Sequence, residues 1–238
     1  MGNNLYLAVS NYFGNYFASI TTIFNFLALE ICFEYITRYF SNCSALKFPY
    51  PGSDFEISPF AVLEVVAGLK SLAASSGKGE VGIDSVILIG GAEVIGPQIT
   101  YLFNLIISSG VYPDDWKCAH IMPLYKGKGK KSEAANYRPI SILPPISKLF
   151  ETLISNQIRI YLESNNMLHH SQFGFRKNLS CELALNSMVE DWRGWLDEKD
   201  DVISIFLDLS KAFDTVDHDI LISKLPYYFF GSKTICLF

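Results

Sequence analysis

The sequence predicts an α/β (α+β) fold, and two patterns carry the prediction. Apart from Ser204, residues 202–207 are apolar and mostly β-branched or aromatic, a run that is long enough for a buried strand and too short for a core helix. Elsewhere apolar residues recur at helical spacing, as at Leu149, Leu153, Ile154 and Ile158. Half of the residues are hydrophobic and 14% are aromatic, which is typical of a globular protein.

Length, charge and cysteine content narrow the class of protein. At 238 residues the chain is long enough for one large domain, or one and a half, with a sizeable core. The net charge of -5 gives no overall electrostatic argument for nucleic acid, so charge has to be considered locally. The five cysteines are scattered without metal-ligand spacing, which favours reduced thiols in an intracellular protein.

The N-terminal third predicts helices and no targeting signal. The first residues lack the positive charge of a secretory signal, so we expect a nuclear or cytoplasmic protein that is not secreted. Residues 1–40 carry tyrosines and phenylalanines at helical spacing, and three charges within residues 20–40 argue against a membrane span. A helix is predicted from Ser58-Pro59 to about Lys70. A second is predicted over residues 85–109, with interruptions near Gly90-Gly91 and Gly96-Pro97.

A locally basic hairpin follows. Residues 119–125 and 137–143 are predicted strands, and residues 126–135 are the tip between them. Between residues 116 and 148 there are seven lysines and arginines and one acid, Glu133. Such a tip can bind phosphates, although lysine runs are more often solvated loops. Arg138 is harder to explain in that way, because it lies within the returning strand.

The rest of the chain alternates helix and strand. Helices are predicted over residues 147–163, over residues 180–196 and from His218 onward, with the strand at 202–207 before the last of them. Asp208 follows that strand directly. A carboxylate at the C-terminal end of a strand commonly holds a metal ion, but Asp is also a favoured first residue of a helix. The strand alone leaves both roles open.

Four ordered blocks of sequence decide between these roles. They are residues 116–126, residues 136–143 with 147–151, residues 172–177 and residues 206–218. Together they resemble the reverse transcriptases of non-LTR (LINE-type) retrotransposons. The resemblance implies a partial right-hand polymerase fold, with a helical N-terminal extension over residues 1–110 and the reverse transcriptase domain over residues 111–238. Residues 111–200 would form the fingers, and the strand before Asp208 would be the first strand of the palm.

The resemblance also implies a set of site residues. Members of the family use two divalent metal ions, usually Mg²⁺, and Asp208 with the backbone carbonyl of Leu209 matches the first metal-binding block. Phe213 matches the bulky residue that excludes the sugar 2′-hydroxyl. Lys126 and Arg138 match residues that hold the incoming triphosphate, and Arg176 lies in a block that lines the nucleotide and template side.

The chain departs from the family pattern at one point. Family members carry an Ala-Asp-Asp turn downstream of the first aspartate, and no such turn occurs between Phe213 and Phe238. The only acids after that phenylalanine are Asp214, Asp217 and Asp219. Because one carboxylate does not position two metal ions, we expect a polypeptide truncated in this way to be inactive by itself. The implied partners of the parent enzyme are an RNA template, a DNA primer and dNTPs.

Two other functions are compatible with the sequence. The chain can be a non-catalytic RNA-binding relic, in which the lysines of the basic tip bind phosphates. It can also be a Mg²⁺-dependent phosphatase with Asp208 as the nucleophile. The second alternative is weaker, because Ser210 stands where such enzymes carry a second aspartate.

Overall fold

The computed structural model describes residues 6–9, 52–74, 83–207 and 216–238, with the backbone alone for residues 6–9. Its described residues fall into two compact units. One contains residues 6–9, 162–207 and 216–224, and the other contains residues 52–161 and 225–238 without the gap at 75–82. The boundary predicted at residue 110 lies inside the second unit, and the functional division into extension and polymerase domain stays a prediction.

Helices and strands both occur along the chain, which confirms a mixed α/β architecture for the part that the structure describes. In chain order they are β1 (Tyr6–Val9), α1 (Val62–Lys70), α2 (Ser85–Gly90), α3 (Ala92–Ser109), α4 (Asp114–Lys117), β2 (His120–Tyr125), a 3-10 turn (Ala134–Asn136), β3 (Tyr137–Ile142), α5 (Pro145–Ser164), α6 (Cys181–Asp197), β4 (Ser204–Leu207), α7 (His218–Lys224), a second 3-10 turn (Leu225–Tyr228) and α8 (Ser232–Ile235).

The core of the second unit is a cluster of aromatic rings between helices α3 and α5. Phe103 and Phe150 are fully buried, with ring centroids 4.9 Å apart, and Phe60 packs edge-on against both. Gly96 lets α1 and α3 approach closely, because a Cβ at this position would collide with the side chain of Val66. This packing holds the elements from which the β2–β3 hairpin extends.

The predicted helix start at Ser58-Pro59 is wrong, since α1 begins at Val62. The segment before it is extended because side-chain amides from distant helices bind its backbone. Gln157 accepts from the Ser58 N–H at 2.8 Å and donates to its carbonyl at 3.0 Å. Asn104 binds the backbone of Phe60 in the same two-point way, at 2.7 and 3.0 Å. These bonds satisfy backbone N–H and C=O groups that would otherwise form hydrogen bonds within a helix.

One predicted interruption of the second helix is confirmed and the other is wrong. The chain breaks between α2 and α3 at Gly91, as predicted, but α3 continues through Gly96-Pro97. Pro97 lies near the beginning of α3, where its missing N–H removes a single helical bond. The tight contact of Gly96 with α1 then stabilises the uninterrupted helix.

The first unit contains a two-stranded parallel sheet of β1 and β4, in which Tyr6 pairs with Ser204 and Val9 pairs with Leu207. The helical prediction is therefore wrong at residues 6–9, and residues 1–5 and 10–40 lie outside the described part of the chain. The strand before Asp208 is confirmed, but the expectation that it is buried is wrong, since Ile205 is 43% exposed and Phe206 is 60% exposed. Within the described part of the chain this sheet has two strands, which is too few to enclose its own apolar side chains.

The remaining predictions of helices and strands that fall on described residues agree closely with the structure. The strands of the hairpin and the helices α5, α6 and α7 all lie within two residues of their predicted bounds. Ser180 caps α6 by accepting from the Leu183 N–H at 3.2 Å, as its place before the helix indicated. None of the helices among the described residues is long and apolar enough to cross a membrane.

Candidate functional site

The β2–β3 hairpin brings two of the predicted site residues together. Its strands are antiparallel, with Leu124 paired to Arg138 and Tyr125 paired to Tyr137. Lys126 continues directly from β2, and its backbone N–H donates to the carbonyl of Asn136 at 2.8 Å. Lys126 and Arg138 therefore lie at the same end of one ribbon, and their role toward the triphosphate stays a prediction.

Arg138 lies on an exposed apolar face of the hairpin. Because side chains alternate along a strand, Arg138 shares its face with Met122, Leu124 and Ile140. Met122 is 52% exposed and Leu124 is 46% exposed. Within the described part of the chain, the Arg138 guanidinium has neither an ion pair nor a hydrogen bond. The guanidinium of an unpaired arginine can bind two oxygens of one phosphate at once. The apolar face beside it can pack against a planar base.

The basic loop, defined here as residues 126–136, is closed by hydrogen bonds from its own side chains and from the strand residues beside it. The hydroxyl of Tyr125 donates to the Gly129 carbonyl at 2.5 Å, and that of Tyr137 donates to the Lys131 carbonyl at 2.9 Å. The Lys126 ammonium donates to the Ala135 carbonyl at 2.6 Å. All four lysines of the loop are exposed, while the backbone of the loop is held in place.

The hairpin base, where the chain enters β2 and leaves β3, is largely buried. We define it by Tyr112, Trp116, Ser147, Phe150 and Glu151. The Tyr112 hydroxyl lies 2.9 Å from Ser147 Oγ and donates to Glu151 Oε1 at 3.1 Å. Burial raises the pKa of Tyr112 well above its ordinary value, and the neighbouring charge of Glu151 raises it further. Ser147 Oγ also donates to the Trp116 carbonyl at 3.4 Å. This bond joins the segment that precedes β2 to the segment that follows β3.

Arg176 lies in the other unit and has partners there. Its Nε is 3.9 Å from Glu163 Oε1, and its Nη1 donates to the His169 carbonyl at 3.3 Å. The Nε atom is buried and forms no hydrogen bond within the described residues. The structure therefore assigns Arg176 a local structural contact. Its predicted role toward the nucleotide stays a prediction.

Asp208, Leu209 and Phe213 lie outside the described residues. Along the chain, Asp208 comes directly after Leu207, the last residue of β4. Among the described residues, no cluster of three or more histidine, cysteine, aspartate or glutamate side chains could hold a metal ion. The predicted metal site therefore rests on the sequence alone.

Comparison with known proteins extends over most of the chain. The family model described as "Reverse transcriptase (RNA-dependent DNA polymerase)" matches residues 128–237. The chain is 32% identical over 228 residues to the "Probable RNA-directed DNA polymerase from transposon BS" of Drosophila melanogaster, covering 92% of this chain and 24% of that protein. It is 34% identical over 182 residues to the corresponding protein of the transposon X-element, covering 75% and 20%. The chain belongs to the reverse transcriptase family of non-LTR retrotransposons.

A further relative of the chain is the "RNA-directed DNA polymerase from mobile element jockey" of Drosophila melanogaster, which is 30% identical over 131 residues, or 55% of this chain and 14% of that protein. The chain spans about a quarter or less of the length of these curated relatives. The range matched by the family model includes Arg138, Arg176, Asp208 and Phe213, and it begins two residues after Lys126. The family predicted from the sequence blocks is confirmed.

Sequence reasoning missed the residues that shape the basic loop. Asn136 donates through Nδ2 to the Lys130 carbonyl at 2.8 Å and to Glu133 Oε2 at 3.1 Å. In the sequence, Asn136 stands out only as the first residue of a family block. The alternation of Gly127 and Gly129 with lysines is a signal for positive φ angles, which both glycines adopt. It does not indicate which side chain fills the space that Gly129 leaves.

Proposed function

We propose that this chain supplies the nucleotide-binding and nucleic-acid-binding part of an RNA-directed DNA polymerase. In this proposal residues 111–200 are the fingers of a right-hand polymerase, and β4 with Asp208 begins the palm. The partners are an RNA template, a DNA primer and dNTPs. The observation that carries the proposal is the exposed, unpaired Arg138 at the same end of the hairpin as Lys126, in a chain of this family.

Asp208 and the Leu209 carbonyl are proposed to hold Mg²⁺. Their fit rests on donor chemistry, because Mg²⁺ prefers oxygen ligands and readily keeps further positions for phosphate oxygens and water. The ion would neutralise charge on the triphosphate and on the attacking hydroxyl. Phe213 is proposed to crowd the sugar 2′ position, which would favour deoxynucleotides.

Lys126, Arg138 and Arg176 are proposed to contact the triphosphate. Arg138 offers a planar guanidinium that can bind two phosphate oxygens at once, whereas Lys126 supplies a single positive charge. Arg176 has to exchange its contact with the His169 carbonyl for a phosphate oxygen in order to take part. Its contribution is therefore expected to be smaller than that of Arg138.

Equilibrium binding of a fluorescent dNTP in the presence of Mg²⁺ tests this assignment. Arg138→Ala is expected to weaken binding about tenfold or more, since a charge-assisted hydrogen bond contributes roughly 1.5–3 kcal/mol. Arg193→Ala is the matched control, because Arg193 is also an exposed arginine. Equal affinities of the two variants would contradict the role of Arg138.

A polypeptide of only these 238 residues is expected not to extend a primer. The acids that follow Phe213 all lie close to the first aspartate block, and none belongs to an Ala-Asp-Asp turn. Primer extension on an RNA template with Mg²⁺ is the assay, with Asp208→Ala as the background control. Incorporation above that background would overturn this part of the proposal.

A second candidate function is RNA binding by the basic loop, which its four exposed lysines favour. Replacement of Lys126, Lys128, Lys130 and Lys131 by glutamine should reduce the slope of log K against log salt, by about 0.7 for each single-strand phosphate that a lysine neutralises. A second variant serves as the matched control, with the same change at four exposed lysines outside the loop: Lys70, Lys117, Lys199 and Lys233. Equal salt slopes for the two variants would contradict RNA binding by the loop.

A further inference from the structure

We propose that Asn136 is a positioning residue that fixes the shape of the basic loop for phosphate binding, through close packing of its side chain against Gly129. The inference rests on the proposed binding of nucleic-acid phosphates by this loop. It assigns a task to a side chain that itself need not touch the nucleic acid.

Gly129 and the side chain of Asn136 pack tightly against each other, and we call this pair of residues the lock. Gly129 has φ +82°, a conformation that residues with a Cβ rarely adopt. A Cβ on Gly129 would overlap the amide group of Asn136, so the amide occupies the space that the glycine leaves open. From there Asn136 Nδ2 donates to the Lys130 carbonyl at 2.8 Å and to Glu133 Oε2 at 3.1 Å.

Three consecutive carbonyls of the loop backbone accept hydrogen bonds from side chains, and Asn136 donates to the middle one. The carbonyls of Gly129, Lys130 and Lys131 accept from Tyr125, Asn136 and Tyr137 respectively. Each of these donors lies at the end of a strand or directly beside it. The strands therefore set the path of the loop backbone at three neighbouring points, and the middle point depends on Asn136.

The backbone of Asn136 closes the loop as well. Its carbonyl accepts from the Lys126 N–H at 2.8 Å, and its N–H donates to the Glu133 carbonyl at 3.1 Å. The last residue of the eleven-residue loop thus binds Lys126 at its beginning and Lys130 and Glu133 further along it. Asparagine suits this position, because a short side chain with two N–H donors can reach two acceptors at once.

The loop needs such a lock because it carries four lysines and one acid. Like charges on neighbouring residues repel one another and favour expanded conformations. Binding to phosphates would then require the loop to be ordered at the moment of binding, which weakens affinity. A loop that is already ordered presents the same lysines without that loss.

Removal of the lock is expected to weaken RNA binding without removing any charge. For Asn136→Ala we expect the dissociation constant for a single-stranded RNA to rise about fivefold to tenfold, with the slope of log K against log salt unchanged. Hydrogen exchange of the Lys126 and Asn136 amides is expected to become faster. Asn186→Ala, at an exposed asparagine of α6, is the matched control, and it should change neither the dissociation constant nor the exchange rates.

Gly129→Ala tests the other half of the lock. It should weaken RNA binding at least as much as Asn136→Ala, because the positive φ of residue 129 strains an alanine as well. The effect of the double variant should be smaller than the sum of the two single effects, because the new methyl group no longer collides with the Asn136 amide. Additive effects in the double variant would contradict a shared lock.

The outcomes separate this inference from the proposed function. Faster exchange in Asn136→Ala with an unchanged RNA affinity would overturn the positioning role and leave RNA binding by the loop intact. If neutralisation of the four loop lysines does not weaken RNA binding, the second candidate function fails, and the positioning role fails with it. A weaker affinity of Asn136→Ala at a constant salt slope is the result that supports the inference.

Discussion

The two ends of the β2–β3 hairpin use similar hydrogen bonds in opposite surroundings. At the hairpin base, the Tyr112 hydroxyl contacts both Ser147 and Glu151 beside the buried ring of Phe150. At the other end, the bonds of the basic loop lie among residues that are exposed to solvent. A buried polar group that loses its partner is strongly destabilising, whereas water replaces a partner at the surface. The base is therefore expected to determine stability and the loop to determine binding.

The largest effect is expected for Phe150→Ala at the base. The Phe150 ring packs against four other aromatic rings and is fully buried, so its removal should lower the free energy of unfolding by about 3–5 kcal/mol. Urea denaturation measures the change. Tyr101→Ala is the control, because Tyr101 is 72% exposed and should change stability little. Similar decreases in both variants would contradict the assignment of the core.

Tyr112→Phe should lower the free energy of unfolding by about 1–3 kcal/mol, because it removes a donor from the buried Glu151. In the wild type the raised pKa of Tyr112 keeps its proton on the folded chain while the unfolded chain releases it above about pH 10. Stability should therefore be full below that pH and fall as the pH rises above it. Urea titrations from about pH 8 to 11 test this, and an equal alkaline decrease in Tyr112→Phe would rule out Tyr112 as its cause.

At the basic loop, by contrast, substitutions should change RNA binding more than they change the free energy of unfolding. Replacement of Lys128 and Lys130 by glutamine should change the free energy of unfolding by less than about 0.5 kcal/mol, since surface charges away from special contacts contribute little. The same urea measurement applies. A decrease as large as that of Tyr112→Phe would show that the loop is part of the stable core, and the contrast between the two ends would not hold.

The smallest effect is expected at a partly buried group of the first unit, His169. Burial lowers the pKa of His169, and the charge of His170 lowers it further. The folded chain then binds fewer protons than the unfolded chain below about pH 6.5, so stability should fall slightly as the pH drops through that range. Melting temperatures between about pH 8 and 5.5 measure this. His169→Asn should flatten the profile, and an unchanged profile would exclude His169 as the source.

Local patterns predicted the hairpin but not the contacts that fix the segment before α1. The alternation of residues in β2 and β3 and the position of Arg138 are properties of neighbouring residues. The backbone of Phe60 is bound by Asn104, 44 residues away, and that of Ser58 by Gln157, 99 residues away. Such pairs depend on tertiary packing, which explains why the helix start predicted at Ser58-Pro59 is wrong.

The sequence predicted the positively charged residues of the candidate site but not the residue that shapes its loop. The family blocks identified Lys126 and Arg138, and the structure places both at one end of the ribbon. Asn136 was not predicted as a determinant of the loop, because its role depends on the positive φ of Gly129 and on the path of the closed loop. The exposure of β4 was also missed, since an apolar run does not reveal how many strands lie beside it.

Photo-crosslinking of the chain to a 4-thiouridine-containing RNA, with mass-spectrometric mapping of the crosslinked peptides, tests the central claim most directly. We expect crosslinks concentrated in the peptides that carry residues 126–138, and their disappearance when the four loop lysines are replaced by glutamine. Crosslinks that fall only outside the hairpin and are unchanged by that replacement would contradict the account.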